Sequence, residues 1–309
     1  MLRFVCLPLI SAAMLAPQAH AGQRGHAHAA AGMQRHAHPH VRTVRHRVAT
    51  ARVHYRAAPI HADAPTALRS GAVMILDPAS GAVLFEKNSA APMPIASLTK
   101  LMTALVVVEA KQDMDEAVTV ADVDVDRLKH SSSRLRVGTR LPRAAMLHIA
   151  LMSSENRAAS ALGRHYPGGR AAFVAAMNAK AAALGMVHTH YVEPTGLSSQ
   201  NVSSAQDLAK LVVAAQREPL IRAYSTDHDY TIRQGGRPTP YRNTNRLISN
   251  ASWHIGLQKT GYINEAGRCM VLHATIMGRA VVMVFLDAQG KFARAADANR
   301  VRAWLTSAH

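Results

Sequence analysis

The sequence predicts an α/β fold for residues 67–309: a mainly antiparallel sheet flanked by helices, with an all-helical subdomain inserted between the two halves of the sheet. Three observations predict it. Two short apolar runs split by a turn sequence open the segment, and a long helical pattern fills about 123–225. Several strand-like runs then return ahead of a last amphipathic stretch. The order strands, helices, strands, helix implies one sheet assembled from both ends of the segment. Its 243 residues are ample for a sizeable core, and no internal repeat divides them.

Residues 71–76 and 82–86 read as the first two strands, joined by Asp77-Pro78-Ala79-Ser80-Gly81. Pro92 and Pro94 stop extended structure, and Ser97 opens an apolar helix to about residue 109. Within the insert, the Ala-rich runs 171–184 and 205–215 are its plainest helices. Strands resume near 230–232, 257–261, 267–276 and 280–286, and a helix over 291–305 closes the chain.

The residues before 67 read differently. Arg3, the apolar run 4–15 and Ala19-His20-Ala21 form an export signal over residues 1–21, with cleavage expected before Gly22 and a periplasmic destination. The apolar run is shorter than the about 20 residues of a spanning helix. The later apolar stretch 271–286 is interrupted by His273 and Arg279, so no membrane span is expected in the mature protein. A retained N-terminal anchor is the alternative. Residues 22–66 are a His-, Arg- and Ala-rich arm without apolar periodicity, expected to be disordered. Its histidines (His26, His28, His36, His38, His40, His46, His54 and His61) have no spacing that closes a metal site; a pH-sensitive adhesive arm is the other reading.

Of the two cysteines, Cys6 leaves with the signal and Cys269 remains alone, which rules out an internal disulfide in the mature chain. Cys269 in an apolar strand reads as a small buried hydrophobe. The formal net charge is +17; seven arginines and one aspartate give residues 22–66 a net +6, and residues 67–309 keep +10. Such a surface favours polyanions. Export, together with only 5% aromatic residues and no basic-aromatic motif, excludes nucleic acid and leaves anionic envelope polymers as candidate partners of the arm.

Three short motifs carry the chemistry: Ser97-Leu98-Thr99-Lys100, Ser154-Glu155-Asn156 and Lys259-Thr260-Gly261. About one Ser-x-x-Lys match arises by chance in a chain this long, and alone it reads as a capped helix start. All three in order, at a helix start, between helices and on a strand, are specific. A serine at a helix start lies beside free N–H groups that suit a developing oxyanion, and Lys100 stands one turn on, over the same face. A lysine acts as a base only if desolvation or a nearby cation lowers its pKa, and Lys259 is a candidate for that cation. Gly261 allows a substrate backbone close to the strand.

Over residues 67–309 the chain resembles the low-molecular-weight penicillin-binding proteins, D-alanyl-D-alanine peptidases of β-lactamase/transpeptidase-like fold. The resemblance rests on Pro94-Ile95-Ala96-Ser97-Leu98-Thr99-Lys100-Leu101-Met102-Thr103, on Leu151-Met152-Ser153-Ser154-Glu155-Asn156-Arg157-Ala158-Ala159 and on Lys259-Thr260-Gly261-Tyr262. Ser131-Ser132-Ser133-Arg134-Leu135 and Glu193-Pro194-Thr195-Gly196-Leu197 support it. It implies that Ser97 attacks the carbonyl of a D-Ala-D-X bond, that Lys100 takes the serine proton and that Ser154 relays a proton to the leaving amine. It further implies that Asn156 holds the substrate amide, that Lys259 and Thr260 bind the terminal carboxylate, and that the N–H groups of Ser97 and Tyr262 form the oxyanion hole. Peptidoglycan peptides are then substrates and β-lactams covalent inhibitors, with no cofactor and no metal required.

Ser-Glu-Asn-Arg, with Arg157 after Asn156, resembles the endopeptidase subgroup that cuts D-Ala cross-links; the commoner form is Ser-x-Asn-Asp. The 48 residues after Gly261 leave no room for the C-terminal β-domain of many carboxypeptidases, which points the same way. D,D-carboxypeptidase is the runner-up, and a non-catalytic peptidoglycan-binding scaffold remains a competing class. A β-lactamase needs a deacylating Glu-x-x-Leu-Asn element, which the Glu193 stretch does not match.

Overall fold

The computed structural model describes Pro65 and residues 67–307; the expectations for the signal and the arm lie outside the described residues. In chain order the elements are β1 (Ser70–Leu76), β2 (Val83–Lys87), β3 (Met93–Pro94), a 3-10 turn (Ala96–Leu98), α1 (Thr99–Glu109), β4 (Ala117–Thr119), β5 (Arg140–Pro142), α2 (Arg143–Met152) and α3 (Asn156–Arg164). There follow α4 (Gly169–Ala183), β6 (Val202–Ser203), α5 (Ala205–Ala215), α6 (Pro219–Thr226), β7 (Asp229–Gln234), β8 (Arg237–Arg242), β9 (His254–Ile263), β10 (Gly267–Ile276), β11 (Arg279–Ala288) and α7 (Ala293–Ser307).

The main sheet has five strands in the order β2-β1-β11-β10-β9, every pair antiparallel, so β1 from the start of the domain joins β11 from its end. Alternation sorts its side chains. Ala72, Met74, Leu76, Cys269, Val271, Val282, Val284 and Leu286 join the core on the α1 and α5 side. Val73, Ile75, Met270, Leu272, Met283 and Phe285 pack with Ala298, Val301 and Trp304 of α7 on the other. Period-2 patterning on a sheet covered on both faces gives this result. Asp297 of α7 ties the helix to the first strand: its carboxylate accepts from Ser70 N at 2.8 Å and Ser70 Oγ at 2.7 Å.

Helix α1 is buried along nearly its whole length, from Thr99 to Val107. It packs among α2, α3, α4, α5 and α6, with α5 and α6 standing between it and the sheet, which explains why it is apolar on every side apart from Lys100 and its threonines. Among the described residues no helix is long and apolar enough to cross a membrane. Cys269 is fully buried, and burial pushes its thiol up to about 12, as fits a packing residue.

Several elements depart from the sequence expectation. Pro94 does not end extended structure but pairs, in β3, with Val202 of β6. The middle region is less uniformly helical than its composition predicts: residues 125–139 and 184–201 have no α-helix, and β4 pairs with β5. Strand β8 carries Pro238 and Pro240 yet pairs with β7. A two-stranded hairpin tolerates them because each proline can turn its missing donor to the unpaired edge.

Candidate active site

The site forms where the edge strand β9 meets the start of α1 and the turn between α2 and α3. Ser97 lies in the 3-10 turn just before α1, and Lys100 in the first turn of α1. Ala96 before it has φ +48°, a left-handed conformation unusual outside glycine. Ser154, between α2 and α3, has φ +60°. Both motif serines therefore lie at or beside strained backbone, which persists only where the surroundings over-determine it.

Lys100 is fully buried, and its Nζ donates to Ser97 Oγ at 2.9 Å, to Asn156 Oδ1 at 2.7 Å and to the Thr195 carbonyl at 2.6 Å. Three acceptors match the three hydrogens of an ammonium. Burial lowers its pKa from the ordinary 10.5 to about 8, while the carboxylates of Glu193, Glu155 and Asp126 hold it from falling further. Desolvation, rather than the Lys259 charge, is thus the leading cause. Lys259 is also fully buried; its Nζ donates to Ser154 Oγ at 3.0 Å and to the Thr260 carbonyl at 2.8 Å. Burial first, then the like charges of Lys100 and Arg294, hold it well below the ordinary lysine range.

Asn156 bridges two groups: its Oδ1 accepts from Lys100, and its Nδ2 donates to Ser131 Oγ at 2.9 Å. Thr260 pairs with Met270 and so faces the α7 side, where its hydroxyl bonds Thr244 Oγ1 at 2.6 Å. Lys259 pairs with Val271 and faces the helical side. The strand therefore presents the two neighbours to opposite faces, meeting at its exposed edge. Tyr262 is half exposed beyond them.

Gly261 has a role the sequence did not show. A Cβ on it would stand 3.0 Å from both Ser97 N and the Ile95 carbonyl oxygen, so the close approach it allows is that of the chain's own nucleophile turn. Gly196 is tighter still: with φ +81°, an added Cβ would meet the Ala96 carbonyl oxygen at 1.9 Å. Glu193 shapes this second loop, its carboxylate accepting from Thr195 N, Thr195 Oγ1 and Gly196 N, each at 2.6 Å. The loop then offers the Thr195 carbonyl to Lys100, and Glu193 has its oxygens engaged within its own loop.

Sequence reasoning missed Arg294. Its guanidinium, largely buried at the start of α7, donates to the carbonyls of Gly261 at 2.8 Å and Cys269 at 3.2 Å. Among the described residues it has no carboxylate within ion-pair distance. It shares the buried α7 face of Asp297, Ala298 and Val301, a spacing of three, four and seven residues. A charged residue on a buried stripe is the signal that could have found it.

Of the eight residues singled out from the sequence, hydrogen bonds join Ser97, Lys100 and Asn156 in one group and Lys259 and Ser154 in another. Gly261 packs against the Ser97 turn, and Thr260 and Tyr262 flank it on the same strand. The fold and the buried Ser–Lys pair define an active-serine hydrolase of the acyl-transfer kind. The family model for D-alanyl-D-alanine carboxypeptidase matches residues 59–290, and the chain belongs to that family. It is 50% identical over 240 residues to a D-alanyl-D-alanine endopeptidase of Pseudomonas aeruginosa, covering 77% of each chain. It is 45% identical over 241 residues to one of Escherichia coli, again 77% of each. Among solved structures, a Streptomyces DD-transpeptidase superposes with a TM-score of 0.71 at 28% identity, covering 77% of this chain and 97% of that one.

Proposed function

We propose that the protein is an exported serine-type D-alanyl-D-alanine endopeptidase that cleaves peptide cross-links in peptidoglycan through an acyl-enzyme, with β-lactams as covalent inhibitors. The observation that carries the reading is the hydrogen bond between Ser97 Oγ and a buried Lys100 whose pKa falls to about 8. When Lys100 is neutral, its nitrogen keeps two donors for Asn156 Oδ1 and the Thr195 carbonyl, and its lone pair faces Ser97. The hydroxyl then donates to the amine, and general-base removal of its proton requires no rearrangement.

Ser97 Oγ attacks the D-Ala carbonyl carbon as its proton passes to Lys100. The oxyanion sits between the N–H groups of Ser97 and Tyr262. Collapse breaks the C–N bond; the leaving amine takes a proton from Ser154 Oγ–H, and Lys259 Nζ, 3.0 Å away, replaces it. Asn156, held by Lys100 and Ser131, keeps an amide hydrogen for the substrate carbonyl. The carboxylate beside the scissile bond meets Lys259, Thr260 and Arg294, and among the described residues no carboxylate pairs with either cation. With acylation complete, Lys100 carries the serine proton and Lys259 lacks one. Transfer of that proton back to Lys259 through solvent in the cleft leaves Lys100 neutral. It then takes a proton from the water that attacks the ester and returns it to Ser97 Oγ as the acyl–oxygen bond breaks. The 50% and 45% identical relatives named endopeptidases, together with Arg157 after Asn156, favour cross-link cleavage over removal of terminal D-Ala. The reading also takes residues 1–21 as the export signal, residues 22–66 as an arm for anionic envelope polymers and residues 67–309 as the catalytic domain.

The test is mass spectrometry of two muropeptides incubated with the protein and with Ser97→Ala. One is a monomer ending in D-Ala-D-Ala, the other a D-Ala cross-linked dimer. Serine-dependent splitting of the dimer is expected. Loss of D-Ala from the monomer alone makes the enzyme a carboxypeptidase, and no change in either removes the reading.

A further inference from the structure

Beside the carboxylate position, on the α7 side of β9, the surface opens into a cavity of about 180 Å³. Thr244, bonded to Thr260 Oγ1, stands at its inner end, and Arg246, Arg268, Lys291, Phe292 and Arg294 surround it. Four cations and no acid line this cavity. Among the described residues none of the four is ion-paired. Arg268 instead stacks over the Tyr262 ring at 4.5 Å, and Lys291 lies over Phe292 at 5.6 Å. A second opening of about 250 Å³, bounded by Tyr262 and Gly290, shares Arg268 and Lys291 and extends the basic strip along the edge.

Like charges gathered without a counter-ion repel one another, and a ligand anion is what turns such a cluster favourable. The Arg294 guanidinium shows the strain, its pKa lowered by burial and by Arg268. The location fixes which part of a ligand would meet it. Ser97 attacks from the α1 side, and the carboxylate next to the scissile bond reaches Thr260 and Arg294. Anything continuing past that carboxylate enters the basic cavity. A departing single D-Ala has nothing to place there, whereas a departing peptide strand does.

We propose that Arg268 and Lys291, with Arg246 at the rim, form a leaving-group subsite for a second carboxylate on the departing peptide of a cross-linked substrate. The exposed rings of Tyr262 and Phe292 flank the strand that carries it. This deepens the endopeptidase reading and rests on it: the cluster supplies a physical reason for preferring an acidic peptide to free D-Ala as leaving group.

The experiment compares kcat/KM for three substrates: a cross-linked dimer with the second carboxylate free on its leaving strand, the same dimer with that carboxylate amidated, and a D-Ala-D-Ala monomer. The protein and the double variant R268Q/K291Q are measured side by side, with the rate of penicillin acylation as a check that the variant is folded. The protein is expected to favour the free carboxylate over the amide by about tenfold, with the gap shrinking at high salt. The variant is expected to lose that preference while penicillin acylation stays within about twofold. If the protein splits both dimers equally well, or if the variant keeps the preference, the subsite is overturned while the endopeptidase reading stands. If the protein splits neither dimer, both fall.

Discussion

The base assignment at Lys100 makes a quantitative prediction about pH. With its pKa lowered from 10.5 to about 8, about 9% of the lysine is neutral at pH 7, against about 0.03% for an unperturbed side chain. Desolvation therefore supplies about a 300-fold larger working population of base at neutral pH. The second-order rate constant for acylation by a penicillin should rise about tenfold per pH unit below about 7 and level above about 8. Neutralising a carboxylate that favours the ammonium moves this limb in a known direction. Glu155 is the gentler choice, since it touches Ser133 Oγ and Arg157 N rather than Lys100, and glutamine preserves its acceptor oxygen. Glu155→Gln should shift the acid limb to lower pH and raise the rate at pH 6. The assay is stopped-flow acylation with a fluorescent penicillin from pH 5 to 10, with circular dichroism to mark the folded range. A profile flat across that range, a break near 10.5, or an upward shift in Glu155→Gln would refute Lys100 as the base.

Four further outcomes are expected. Gly196→Ala should lose at least about 3 kcal/mol in urea unfolding, because its Cβ meets backbone at 1.9 Å. Gly185→Ala, also left-handed but with open space around it, should lose only about 1 kcal/mol; equal losses would sink the contrast. Gly261→Ala should slow penicillin acylation by about tenfold with an unfolding change under about 1 kcal/mol, since the displaced atoms include Ser97 N; wild-type acylation would count against it. Arg294→Gln should reduce kcat/KM about tenfold for a substrate with a free terminal carboxylate and far less for its amide, and a uniform loss would argue for a purely structural arginine. Cys269 has an ordinary pKa of 9.0 and a folded value of about 12, so the unfolded chain sheds this proton first. That contribution is whole well below pH 9 and fades as pH rises, which predicts that Cys269→Ala loses less stability than the parent protein between pH 8 and 10 in urea titrations, by on the order of 1 kcal/mol.

Much of the site was legible because its chemistry is carried by short contiguous motifs. Ser97 and Lys100 are one helical turn apart, and Lys259 to Gly261 occupy successive strand positions, so local spacing fixes their relative placement. The run 205–215 was equally plain, and the structure places α5 on those residues. What sequence could not carry was long-range registration. That the Thr195 carbonyl would be an acceptor of Lys100, 95 residues earlier, depends on how Glu193 folds its loop. Gly261 was read as making way for substrate, and the sequence did not show that it also makes way for the nucleophile turn, a contact between chain segments 164 residues apart. The expected strands passed over residues 237–242, where β8 forms opposite β7, because propensity is blind to whether an edge is paired.

The buried lysine pair explains why the site needs such a rigid frame. Two amines out of water, within each other's field, favour any fluctuation that admits solvent. The structure resists this by giving each nitrogen fixed acceptors: three at Lys100, two at Lys259. Beside the two motif serines, those acceptors are the Thr260 carbonyl and groups that are themselves held: Asn156 by Ser131, and Thr195 by the Glu193 carboxylate. The left-handed backbone at Ala96 and Ser154 belongs to the same frame, with Gly196 packed directly against the Ala96 carbonyl. If any of these supports relaxed, water would reach Lys100 and return its pKa towards that of an ordinary lysine. The base would then be lost before the fold was. Residues remote from Ser97 should therefore influence the pH profile of acylation more strongly than they influence global stability.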